Sequence, residues 1–184
     1  MVGAPYFGAK LNVSGSDPNM LIQAKSDNAS PAFYVSGSGD AYVSGSLRAR
    51  QLYMHTHKLN FGDNTARFVR FDSNGGDTSA GGNNKMIAPY PGKLVKVLIR
   101  ALAGPPGNVA VSLHSASNGT TNVRTVAAEA ITVNCSAVDT SYTFTFTDAA
   151  AWPGSGDIVG IKINPATDPG TVVATSVWEY DQNQ

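Results

Sequence analysis

From Phe61 onward, apolar and polar side chains alternate with a period of two, the pattern of strands that bury one face. Tyr142-Thr-Phe144-Thr-Phe146-Thr is the clearest run, with aromatics on one side and threonines on the other. Val109, Val111 and Leu113 repeat the pattern, as do Val159, Ile161 and Ile163. Between Leu94 and Ala101 both faces are apolar except at Lys96 and Arg100, which predicts a central strand or one whose second face meets another subunit. Strands are expected over residues 67–72, 85–89, 93–103, 108–115, 122–135 (one strand or two), 141–147, 157–164 and 171–181. Pro91-Gly92, Gly104-Pro-Pro-Gly107, Asn118-Gly119, Pro153-Gly154 and Pro169-Gly170 supply the reversals between them. Residues 149–152 have room for one helical turn, and the loop 73–84, with four glycines and nothing apolar larger than alanine, is expected to be exposed and mobile. About eight short strands at this spacing predict an all-β head, a β-sandwich of jelly-roll type.

The first sixty residues are patterned differently. Val-Ser-Gly-Ser occurs at Val13, Val35 and Val43, twice preceded by tyrosine, at Tyr34 and Tyr42. The eight-residue offset of the second and third copies fits one short strand and one tight turn. Short strands are expected at 20–25, 32–36, 41–44 and 47–59, none with more than a few apolar residues per face. So little apolar surface does not offset chain entropy in one chain, and repeated units of this kind stack on neighbours or on other chains. The division is placed near Phe61: residues 1–60 form an oligomerising, docking stem and residues 61–184 the head.

Composition narrows the function. Charged residues make up 14% of the 184, thirteen basic against thirteen acidic, without the basic surplus of a nucleic-acid binder. No apolar run reaches the ~20 residues of a membrane span, and the opening Met1 to Lys10 lacks a signal-peptide pattern, so folding in a cytoplasm is expected. The single cysteine, Cys135, reads as a small buried hydrophobe.

Candidate chemistry is sparse. His55-Thr-His57 places two imidazoles on one strand face; three copies around a threefold axis would offer an octahedral shell to a transition metal, against the plainer reading of two partly exposed histidines. Asp72, Asn74 and Asp77 resemble the opening of a calcium loop without its final glutamate, and read as a plain loop. No nucleophile pattern surrounds His114, and Glu129 and Glu179 are the only glutamates, so no enzyme is expected. Trp152, Trp178 and Tyr180 suit either sugar stacking or a core.

The Tyr-Val-Ser-Gly-Ser repeats leading into a β-rich domain resemble the shaft-to-head transition of trimeric bacteriophage fibres and spikes. Met86-Ile-Ala-Pro-Tyr-Pro-Gly-Lys-Leu-Val-Lys-Val-Leu-Ile-Arg100 resembles head domains of virion structural proteins of tailed phages. His55-Thr-His57 is similar to His-x-His pairs that hold axial iron in some fibre tips, although those fibres carry several pairs. The resemblance implies a homotrimer with intertwined N-terminal strands, assembled in the host cytoplasm and carried on the virion. Its short stem suits a capsid-decorating, or cement, protein docked on the major capsid protein through Val2, Pro5, Tyr6 and Phe7. The alternative is a short fibre or spike head gripping a host glycan through Trp152, Trp178 or Tyr180. Neither nucleic acid nor membrane is an expected partner.

Overall fold

A computed structural model of the chain describes residues 22–25, 31–35, 41–43 and 50–181. The chain divides into two compact units, Met1–Arg48 and Ala49–Gln184. In the first, β1 (Ile22–Lys25), β2 (Pro31–Val35) and β3 (Ala41–Val43) form an antiparallel meander in the order β1-β2-β3. Tyr34 and Tyr42, eight residues apart, are direct cross-strand partners, as are Val35 and Ala41. The repeat spacing is thus the spacing of one hairpin. The repeat at Val13 and the docking residues Val2, Pro5, Tyr6 and Phe7 lie outside the described residues.

The second unit contains β4 (Arg50–Asn60), β5 (Arg67–Val69), β6 (Gly76–Asp77), β7 (Met86–Ile87), β8 (Gly92–Ala101), β9 (Gly107–Ala116), β10 (Glu129–Cys135), β11 (Ser141–Thr145), β12 (Ala151–Trp152), β13 (Ile158–Pro165) and β14 (Thr171–Asp181). One sheet runs β11-β8-β14-β4, with β12 added beside β8; the other runs β10-β9-β13-β5-β6, with β7 beside β13. All these pairings are antiparallel. With the principal strands β4, β5, β8, β9, β10, β11, β13 and β14 numbered one to eight, the first sheet reads one-eight-three-six and the second two-seven-four-five. A single apolar core joins the two sheets: Leu94, Val97, Phe144 and Trp178 from one, Val111, Leu113, Ile161 and Ile163 from the other.

The domain boundary corrects the sequence reading. Arg50–Asn60 pairs with β14 along its whole length, from Asn60 opposite Thr171 to Arg50 opposite Asp181, so this strand belongs to the head rather than to the stem. The doubly apolar stretch in β8 has a local cause. Val177 faces Lys96 while Trp178 faces Leu94, which leaves Val95 as the extra residue of a bulge. The bulge resets the alternation, so Leu94 and then Val97, Ile99 and Ala101 all point inward.

Two glycines act as the turn chemistry requires or as packing demands. Gly170 adopts φ 64° in the Pro169-Gly170 reversal. Gly92 is needed for close approach instead: a Cβ there would lie 2.8 Å from Trp152 Cζ2 and against the Glu179 carbonyl. The loop expected to be exposed and mobile is exposed at Ser73, Asn74, Thr78 and Ser79 but is tied down by specific contacts. Arg70 grips Asp77 through two hydrogen bonds (3.1 and 2.6 Å), and fully buried Asn84 donates to the Ser79 carbonyl (2.7 Å) and accepts from Gly81 N–H (2.9 Å). Residues 148–150 form a single 3-10 turn, where one helical turn was expected one residue later.

Candidate functional site

Strand β4 turns His55, His57 and Leu59 toward the sandwich interior, with Tyr53 on the same side at its exposed start, and Leu52, Met54, Thr56 and Lys58 to the outside. The two histidines therefore share a face, as their spacing predicts, but that face is the core side. His57 is 7% exposed, with Nδ1 3.3 Å from the Arg70 carbonyl and Nε2 2.9 Å from Ser176 Oγ. Trp178 Nε1–H donates to the same Ser176 oxygen at 2.8 Å. One protonation pattern satisfies all three groups. Ser176 accepts from the indole and gives its own proton to His57 Nε2, leaving Nδ1–H to donate to Arg70. Burial holds His57 neutral, pushing its pKa down to about 4; the Arg70 bond opposes this and the nearby His55 adds to it. Phe71 sets its edge against both imidazoles, at 6.2 Å from His55 and 5.4 Å from His57.

This arrangement ties β4, β14 and the segment after β5 together and leaves little chemistry free. A serine hydroxyl 2.9 Å from an imidazole is the start of a nucleophilic pair. Here Ser176 is completely buried, and a backbone carbonyl, not a carboxylate, orients the ring. For a metal, both His57 nitrogens are committed inside the subunit, so an axial ion would have to break these bonds or rely on His55. Asp72, Asn74 and Asp77 do not converge either: Asp77 is held by Arg70 and Asn84, and Asp72 accepts from Ser73 (3.1 Å). Among the described residues no three His, Cys, Asp or Glu side chains gather around a common point.

A second serine–histidine pair sits on the outer face of the other sheet, formed by His114, around which no nucleophile pattern was read, and the serine two residues before it. His114 Nε2 lies 3.0 Å from Ser112 Oγ, and Nδ1 lies 2.8 Å from the Arg124 carbonyl. Its pKa is lowered mainly by burial, against the Arg124 bond, with Lys162 adding to the lowering. Residues 117–128, which take in the first half of the expected strand 122–135, form a strap over this face. Val123 is buried among Phe68, Ala116 and Ile158, and Lys85 Nζ donates to the Thr121 carbonyl and, at 2.9 Å, to Asn122 Oδ1. The polar, turn-rich run Asn118-Gly-Thr-Thr-Asn122 was the available signal for a loop.

The three aromatics proposed for sugar stacking are core. Trp152, Trp178 and Tyr180 are 1%, 0% and 3% exposed, and their rings pack edge-on, 5.6 Å between the tryptophans and 5.8 Å from Trp152 to Tyr180. Trp152 Nε1–H donates to the Tyr90 carbonyl at 2.8 Å, and burial pushes the Tyr180 hydroxyl up to about 12. No ring face is left for a sugar. Cys135 is fully buried and its thiol is pushed up to about 11, the inert structural role expected of it.

Among the described residues, the outer face of the β11-β8-β14-β4 sheet is accessible. Leu52 and Met54, at the start of β4, are 64% and 74% exposed. Further along, a hollow of about 510 Å³ opens between Lys58 of β4 and Arg100 of β8. At the other end a second hollow, about 460 Å³, holds the Lys93–Asp148 ion pair (2.7 Å) with Glu179 and Asp181 on its wall. Glu179 is the cross-strand partner of Lys93, so these carboxylates surround a lysine rather than face each other as an acid and a base.

No family model matches the chain, and no curated protein matches it. Among solved structures it is similar to a chain of the acidic stable capsid structure of Helicobacter pylori bacteriophage KHP30, at 14% identity and a TM-score of 0.38, over 74% of this chain and 94% of that one. At that distance the likeness carries no inference about this chain. No helix among the described residues is long and apolar enough to cross a membrane.

Proposed function

We propose that the chain is a structural protein of a tailed-phage virion: a homotrimer whose N-terminal repeats intertwine as a stem and whose heads are jelly rolls that decorate and clamp the capsid. The observation that supports this reading is the strand order one-eight-three-six over two-seven-four-five, the order expected of paired Greek keys in a jelly roll, following in the chain a hairpin whose register reproduces the repeat spacing. Jelly rolls recur in viral capsid and lectin domains, where rigid sandwiches present surfaces rather than reactive groups. The buried Ser–His pairs and the lysine-centred carboxylates fit that role, since neither offers an accessible nucleophile or an acid–base couple. In this reading Val2, Pro5, Tyr6 and Phe7 dock on the major capsid protein, and three such arms per trimer give avidity to moderate contacts.

The test is the position of gold-labelled protein on particles. Label distributed over the capsid lattice supports decoration, and loss of that label when residues 1–10 are removed assigns the docking arm. Label confined to the tail tip replaces this reading with the second one, a receptor-binding head, which the hollow flanked by Lys58 and Arg100 on the outer sheet face favours.

A further inference from the structure

We infer that the hollow between Lys58 and Arg100 is a binding site for a sugar bearing a carboxylate. Lys58 and Arg100 flank Val173 from either side, Lys58 as its partner on β4 and Arg100 as its partner on β8. Two strand spacings therefore separate their backbones, about 10 Å. In the neighbouring row Thr56, Thr175 and Leu98 line up across the same three strands. Ser141, opposite Arg100 on β11, accepts from Arg100 Nε at 3.2 Å and so fixes the guanidinium.

Three properties set the ligand class. First, among the described residues no carboxylate lines the hollow and no ion pair engages Lys58, Lys96 or Arg100. In a chain of zero net charge the end of this face that bears Lys58 and Arg100 concentrates positive charge beside a concavity, which draws an anion. Second, hydroxyls and an amide (Thr56, Thr175, Ser141, Asn74) supply donors and acceptors around the rim, matching a polyhydroxylated ring better than an aliphatic acid. Third, Leu98 and Val173, the latter 37% exposed, give an apolar floor for the C–H face of such a ring. The volume, about 510 Å³, lies within the usual range of ligand clefts, about 300–1,000 Å³. With no Phe, Tyr or Trp among the described residues of the lining, a single site binds weakly, and useful strength comes from several heads acting together.

The site gives the receptor-binding reading its ligand, but its test is separate from any test of virion position. Saturation-transfer NMR on the full-length protein, with free glucuronate as probe and glucose as the neutral control, reads binding directly. The expected result is transfer to glucuronate well above glucose. Lys58→Gln with Arg100→Gln should weaken it about tenfold, while Arg100→Lys retains most of it. Lys162→Gln, on the opposite sheet, should leave it unchanged. Equal transfer to glucose, no transfer to glucuronate, or full binding by the double variant overturns the assignment. Preferential transfer to a hexaglutamate peptide also overturns it, by giving the hollow to an acidic polypeptide. If acid sugars fail while labelled protein still coats capsids, the site is lost and the virion role stands.

Discussion

Protonation of His57 should be the main acid-sensitive event in the head. The unfolded chain takes up a proton at this residue near pH 6.5, but in the folded sandwich burial delays uptake to about pH 4. Between those values unfolding is coupled to proton binding, so stability falls as pH falls. The contribution is intact above about pH 6.5 and fully lost below about pH 4. At about 1.4 kcal/mol per pKa unit, the interval corresponds to roughly 3 kcal/mol. That is a large share of the stability of an ordinary domain, about 5–15 kcal/mol. His57→Gln removes the titration while keeping an amide that can bond to Ser176 or to the Arg70 carbonyl. The assay is urea unfolding of both proteins at fixed chain concentration, at pH 7.5, 5.5 and 4.0, followed by tryptophan fluorescence. His114 acts in the same direction but is present in both proteins, as are the lowered carboxylates Asp63 and Asp77, so the difference between the two curves isolates His57. The variant should be less stable at pH 7.5 and should lose roughly 3 kcal/mol less than wild type on going to pH 4. Parallel curves for the two proteins would refute the claim that burial of a neutral His57 costs protonation free energy.

Further outcomes follow from other contacts. Ser176→Ala leaves Trp178 Nε1 and His57 Nε2 buried without partners, and should lower the unfolding free energy by about 1–3 kcal/mol in the same denaturation assay. Gly92→Ala pushes a methyl group into Trp152 and the Glu179 carbonyl, and should cost about 1–3 kcal/mol with altered near-UV circular dichroism of the tryptophans. Val123→Asp should release the strap alone: tryptic cleavage after Arg124 should accelerate many-fold while the global unfolding midpoint shifts little, and a coincident collapse of both would show the strap to be part of the main core.

The sequence made much of the head legible because its interior strands obey simple alternation. Phe144 and Phe146, Val109 to Leu113, and Val159 to Ile163 bury the residues their periodicity selects. It misled where the pattern is inverted. In β4 the core-side face carries half-buried His55 and buried His57, while the apolar Leu52 and Met54 point outward, so a strand of the head reads as stem. The bulge at Val95 was hidden because a shift in parity within an apolar run looks like two apolar faces. The histidine networks were unreadable for a different reason. Ser176 lies far from His57 in the chain, and only the pairing of β14 with β4 brings them together. That pairing and the pairing of β14 with β8 together put Lys58 and Arg100 on one face, although nothing in their separation along the chain links them. The aromatics Trp152, Trp178 and Tyr180 left both a core and a sugar surface open until their burial was seen.

The claim on which the functional reading rests is that residues 1–48 assemble three chains. Sedimentation equilibrium of the full-length protein and of the unit Ala49–Gln184 tests it most directly, since a cut at residue 49 spares β4, which a cut after Leu59 would destroy. The account predicts a full-length species of three times 19.2 kDa and a folded shorter unit that is monomeric or weakly associated. A full-length protein that sediments as one 19.2 kDa chain would contradict it.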